Sequence, residues 1–95
     1  MAKYSFPAIF TPEESGKFSI NFPDVNCYTQ GEDVEDGIEM AQDALCLMLY
    51  DMEQRGEEIP KASDIEKLTK SGSQLIFMIS CDTQEYVDFF SEKGE

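Results

Sequence analysis

Twenty Asp and Glu side chains and three cysteines are the groups in this 95-residue chain that could do chemistry, and no histidine stands with them. Carboxylates in pairs suit acid–base hydrolysis, and in convergent sets they hold magnesium or calcium. Cysteine serves as a nucleophile when a neighbour lowers its pKa. Without histidine, the commonest general base and zinc ligand is missing, and no Ser–His or Cys–His pair can form. The stretch FPDVNCYTQG, residues 22–31, gathers Asp24, Cys27 and Gly31 in one segment. Cys27 has no basic residue beside it to activate its thiol, and no phosphate-cradling glycine pattern surrounds Gly31. Glu32, Asp33, Glu35, Asp36 and Glu39 crowd the start of a helical pattern, where carboxylates form a solvated acidic face and not a convergent metal cage. Asp24 and Asp82 each follow a strand-like run, positions typical of turns and caps. No catalytic, cofactor or metal site emerges.

The balance of 20 acidic against 7 basic residues gives a formal net charge of −13. Such a surface repels nucleic-acid phosphates and anionic lipids and attracts basic partners. Cys27, Cys46 and Cys81 lie far apart without CxxC spacing, so the expectation is three reduced thiols, with Cys46 serving as packing. The start of the chain is too short in apolar run for a signal peptide, and no stretch reaches the ~20 apolar residues of a membrane span. These features fit one cytoplasmic domain over residues 1–95.

The elements follow from periodicity. YSFPAIF (4–10) is strand-like, with Pro7 expected at an edge or bulge because it lacks a donor. TPEESGK reads as a hairpin turn, and KFSINF alternates with Phe18, Ile20 and Phe22 on one face. From about Asp33 to Arg55 the pattern is helical, with Val34, Ile38, Ala41, Leu45, Met48, Leu49 and Met52 on one side. Asp33 is the expected N-cap and Gly56 the C-cap, while Gly37 costs ~1 kcal/mol relative to alanine. Met40, Leu47 and Tyr50 cannot all reach that core. They form either a wide apolar stripe under the sheet's rim or a contact with another copy of the chain, giving a dimer or dimer of dimers. LIFMI (75–79) reads as a strand buried on both faces, and Asp82 or Thr83 as the start of a short helix with Tyr86, Phe89 and Phe90 inward. The order β-β-(β)-α-β-(α) defines an α+β fold, a three- to four-stranded antiparallel sheet crossed by one long helix.

The segment YSFPAIFTPEESGKFSINFPDVNCYTQGEDVEDGIEMAQDAL resembles the HicB antitoxin family of type II toxin–antitoxin systems. The likeness rests on Tyr4–Phe10, on the FPD that ends at Asp24, on the C-x-T-x-G of Cys27 to Gly31, and on Ala41, Ala44 and Leu45. EEIPKAS continues it, and LIFMISCDTQEYVDFF follows more loosely. Two details depart: the turn before Cys27 is one residue shorter, with Asn26 in place of a glycine, and Gly37 replaces an alanine.

The resemblance implies a partial RNase H-like fold and a small, basic HicA-type ribonuclease as partner, whose RNA-binding or active surface is covered. Nuclease activity of its own is not implied, since the first strand carries no carboxylate. The resemblance also implies a toxin-binding half without the DNA-binding domain that many members add. The outward residues Asp24, Tyr28, Gln30, Glu32 and Asp33, with Glu39 and Asp43 on the helix, are the expected partner contacts, and Met40, Leu47 and Tyr50 the expected oligomer contacts. Two other functions compete: a self-assembling module without a toxin, and a magnesium-dependent hydrolase using Asp24 and Asp82.

Overall fold

Four short runs of alternating or continuous apolar residues become strands, and one long amphipathic run becomes the helix that covers them. The computed structural model describes residues 3–68 and 72–85. Strands β1 (Lys3–Pro12), β2 (Phe18–Phe22) and β3 (Cys27–Gly31) precede helix α1 (Val34–Gln54), and strand β4 (Leu75–Asp82) follows it. The sheet order is β3-β2-β1-β4, with every neighbouring pair antiparallel. The expected α+β architecture is the observed one, with four strands.

Two strand positions differ from expectation. β1, which contains Pro7, is central, and β4 is the edge strand. Proline is tolerated in the centre because the β1–β2 ladder begins only at Ile9, so Pro7 lies beyond it while pairing with Met78 of β4. β4 is not buried on both faces: Ile79 and Cys81 are buried, whereas Met78 is 46% exposed. Among the described residues this long apolar run has one partner strand and one covered face.

Phe6, Ala8, Phe10, Ile20, Phe22 and Ile79 rise from the sheet against Ala41, Leu45 and Leu49 of α1. Phe10 meets Phe77 edge-on, with ring centroids 5.0 Å apart. The helix begins at Asp33, whose carboxylate accepts the Asp36 amide at 2.8 Å, while the Asp36 carboxylate accepts the Glu32 amide at 2.9 Å. It ends in a Schellman motif, with Gly56 at φ 71° and the amides of Gly56 and Glu57 donated to Glu53 O and Met52 O.

Gly37 is not a weak spot. It is buried, and a Cβ there would lie 2.7 Å from the Phe10 ring and 3.1 Å from Ile20. A Cβ on Gly31 would meet the Gly37 backbone, with its nitrogen only 2.6 Å away. The two glycines let the first turn of α1 rest on the end of β3. Close approach here turns the helix so that Gly37 faces the sheet, and Ile38, expected in the core, is 37% exposed.

The cysteine expectation is also corrected. Cys46 of α1 and Cys81 of β4 are joined by a disulfide, with Cα atoms 5.5 Å apart, and only Cys27 is a free thiol. The two are 35 residues apart in sequence, so only the docking of α1 against β4 brings them together. A helical turn starts at Thr83, with the Gln84 amide donated to Asp82 Oδ1 at 2.9 Å. Tyr86, Phe89 and Phe90 lie outside the described residues.

Candidate functional site

FPDVNCYTQG is a β-hairpin: the end of β2, a four-residue turn, and β3, with Phe22 paired to Cys27. No non-glycine residue among those described has a positive φ, and neither does Gly31. Asn26 therefore turns the chain without the left-handed conformation a glycine would bring, and Gly31 is needed for space. Asp24 does not face outward with free oxygens. It is half-buried, accepting the Ser63 amide at 3.0 Å and the Ser63 hydroxyl, and so ties the connector after α1 to the hairpin turn.

β3 is the other edge strand, hydrogen-bonded only to β2 among the described strands. Tyr28, 74% exposed, and Gln30 point away from the helix, while Cys27 and Gly31 point toward it. Beyond this edge α1 presents Ala44, Leu47, Met48 and Asp51, one flank at i, i+3, i+4 and i+7 spacing. Between strand edge and helix flank lies a mainly apolar groove of about 560 Å³, with Cys27, Tyr28, Leu47 and Met48 in its walls. Leu47, 57% exposed, and Tyr28 thus belong to one surface. Burial pushes the Cys27 thiol pKa up, which favours its neutral form in the groove wall.

Asp51 lines the groove, and the chain segment that carries its helix wall is acidic. Between Gly31 and Arg55 the chain carries eight Asp and Glu and no Lys or Arg. Arg55, at the far end, is held by Asp51 at 2.8 Å and by Glu57. Glu32, at the near end, pairs with Lys17 at 3.3 Å. Met40 shares the outer flank with Leu47, seven residues on, and is 40% exposed. Glu39 and the half-buried Tyr50 fall toward the side of Cys46 that faces β4, whereas Asp43, three residues after Met40 and four before Leu47, lies beside them on the outer flank. The structure therefore places Tyr28 and Leu47 on the groove, with Met40 and Asp43 beside Leu47 on the outer flank of α1, while Gln30, Glu32 and Asp33 lie outside the groove's lining and Glu39 and Tyr50 lie on the Cys46 side. Met48, read as core, was the missed wall residue; the 44–47–48–51 spacing carries that signal.

A second polar cluster escaped the sequence reading. Tyr4 donates to Glu53 Oε2 at 2.7 Å and the fully buried Thr83 donates to the same oxygen at 3.2 Å. The bond to Glu53, then burial, then the carboxylate's charge push the Tyr4 pKa up to about 12. Among the described residues no three Asp, Glu or Cys side chains converge on a metal-sized site, and no helix is long and apolar enough to cross a membrane.

A four-stranded antiparallel sheet crossed by one helix, with a glycine-tightened hairpin at its edge, defines an α+β domain of the kind seen in solved toxin–antitoxin proteins. A toxin–antitoxin complex from Streptococcus pneumoniae superposes with a TM-score of 0.79 at 24% identity, over 88% of this chain and 72% of that one. The Burkholderia pseudomallei antitoxin HicB gives 0.70 at 17% identity, over 80% of this chain but 61% of that one. The isolated N-terminal domain of the same antitoxin gives 0.70 at 17% identity and is covered over 95% of its length. None of the curated proteins compared with the chain matches it. The family model described as HicB_like antitoxin of bacterial toxin-antitoxin system matches residues 6–88. The chain belongs to the HicB-like antitoxin family.

Proposed function

We propose that this antitoxin neutralises a small, basic HicA-type ribonuclease by seating it on the β3 edge and the adjoining flank of α1, covering its RNA-binding or active surface. The observation that carries the reading is the apolar groove between Tyr28 and Leu47, beside a helix segment that carries eight carboxylates and no basic side chain between Gly31 and Arg55. Apolar contact in a groove supplies affinity, and the surrounding charge speeds encounter with a basic protein. The S. pneumoniae relative is itself a toxin–antitoxin complex, which supports a toxin as partner. The protein acts by binding in the cytoplasm and not by catalysis: it has no histidine, and β1 offers no carboxylate. With a charge of −13, this domain leaves operator DNA to another segment or protein.

The test pairs the protein with the small basic protein encoded beside it. Adding the antitoxin should suppress that protein's RNA cleavage, and the two should co-elute. Leu47→Glu, which puts a charge into the groove, should weaken binding at least tenfold, while Met78→Ser on the β4 edge leaves it unchanged. Undiminished cleavage at excess antitoxin would end the proposal, and equal loss from both variants would move the surface elsewhere.

A further inference from the structure

The bridge between Cys46 and Cys81 lies on the opposite flank of α1 from the groove. Both residues are buried, Cys46 at 8% exposure and Cys81 at 3%, and a surface depression of about 300 Å³ between β1, β4 and α1 is lined by Cys81 and not by Cys46. Of the other wall residues, Lys3, Ser5, Gln42, Ser80 and Glu85 are exposed and Tyr4 and Asp82 half-buried, so the depression opens to solvent. Among the described residues this is the one covalent link between helix and sheet. It fastens an edge strand that, among the described strands, pairs only with β1.

We propose that Cys46 and Cys81 form a reversible thiol–disulfide site served through this depression by small thiols and disulfides of the glutathione type. A thiolate attacks Cys81 Sγ, the bond to Cys46 Sγ breaks, and Cys46 leaves as a thiolate while Cys81 carries the mixed disulfide. A second thiolate attacks the small molecule's sulfur, releasing its disulfide and the Cys81 thiolate. Both protein thiolates then take up protons in their buried setting, and two electrons have passed from two small thiols to the bridge. Lys3 at the mouth favours entry of an anionic thiol, and Asp82 and Glu85 oppose it.

Reduction leaves the fold in place, because Gln42 still donates to Ser80 O at 2.9 Å and Glu53 still holds Tyr4 and Thr83. It removes a constraint across 35 residues, so the reduced chain is less stable and β4 opens more often. If the chain works as proposed above, redox state sets the folded amount of antitoxin without altering its groove. The chemistry itself is tested without any toxin.

The experiment equilibrates the purified protein in buffers of reduced and oxidised glutathione, then alkylates and digests it. Cys46 and Cys81 should pass together from a linked peptide to two alkylated ones, with Cys27 a free thiol throughout. The melting temperature should fall by about 10 °C or more on reduction. Cys46→Ala should take one glutathione at Cys81, whereas Cys81→Ala should take none at Cys46. A bridge that never forms, one that reduced glutathione never opens, equal melting temperatures, or an adduct on Cys46 in place of Cys81 would each overturn the proposal.

Discussion

Glu53 shows how one side chain's role depends on its distant neighbours. On the helix pattern it sits among solvent-facing carboxylates, yet in the fold it accepts from Tyr4 of β1 and Thr83 beyond β4. It thereby joins the helix's last turn to both strands at one end of the β1–β4 ladder. The folded chain holds the Tyr4 proton more tightly than an unfolded chain, whose phenol ionises near 10.0. Its stabilising contribution is therefore complete below pH 10 and is lost as pH rises toward about 12. Tyr4→Phe should cost about 1.5–3 kcal/mol at pH 7, the usual range for a hydrogen bond to a charged group. In urea melts the gap between wild type and variant should close above pH 10. A gap that is the same at every pH would mean the phenol–carboxylate bond contributes nothing. Asp33 also has a structural role: as the N-cap of α1, its replacement by lysine should cost ~1 kcal/mol before any partner is added. Charge reversal that probes binding alone belongs at Asp43, beside Leu47 on the outer flank.

At the level of elements, the contact between Gly31 and Gly37 fixes how α1 meets the sheet, and so the width of the groove beside β3. Helix propensity favours Gly37→Ala by ~1 kcal/mol, while the Cβ would press on Phe10 and Ile20. Overpacking of this kind typically costs about 1–3 kcal/mol, so the variant should be net destabilised in urea. Gly31→Ala should be worse, because its obstacle is the Gly37 backbone and not a side chain able to rotate. A stabilised Gly37→Ala would show that the helix can lift away at no cost. Elements with strong periodicity were legible in the sequence: the β1–β2 hairpin, the helix between Asp33 and Arg55, and its Gly56 cap. Strand order was not, because an apolar run such as LIFMI records its own composition and not how many strands flank it. Pro7 misled for a related reason, since the shortness of β2's ladder, and not β1's place in the sheet, relieves its missing donor. The Cys46–Cys81 bridge and the two-glycine contact depend on how α1 docks. Tyr28 was legible as a surface residue, but its union with Leu47 was not, because that needs strand and helix side by side.

For the whole molecule, a charge of −13 on 95 residues sets the sign of every association. The groove offers apolar surface to any partner, including a second copy, and the exposed Leu47 and Met40 suit self-pairing. The β3 edge, paired only with β2 among the described strands, suits it too. A second copy, however, brings the same acidic segment, so each encounter works against mutual repulsion. A basic toxin meets that segment with attraction instead. The two associations therefore respond to ionic strength in opposite directions, because screening weakens both forces over about 8–10 Å near physiological salt. Sedimentation velocity from low to moderate sodium chloride should show any homodimer or dimer of dimers strengthening as salt rises. Binding of the basic protein should weaken over the same range, mainly through a slower association rate. Asp43→Lys should lessen the repulsion between copies and slow toxin association, whereas Leu47→Glu should impair both. A homodimer that weakens with salt would place its contacts on complementary charges away from the groove, and toxin binding indifferent to salt would deny the acidic segment its part in steering.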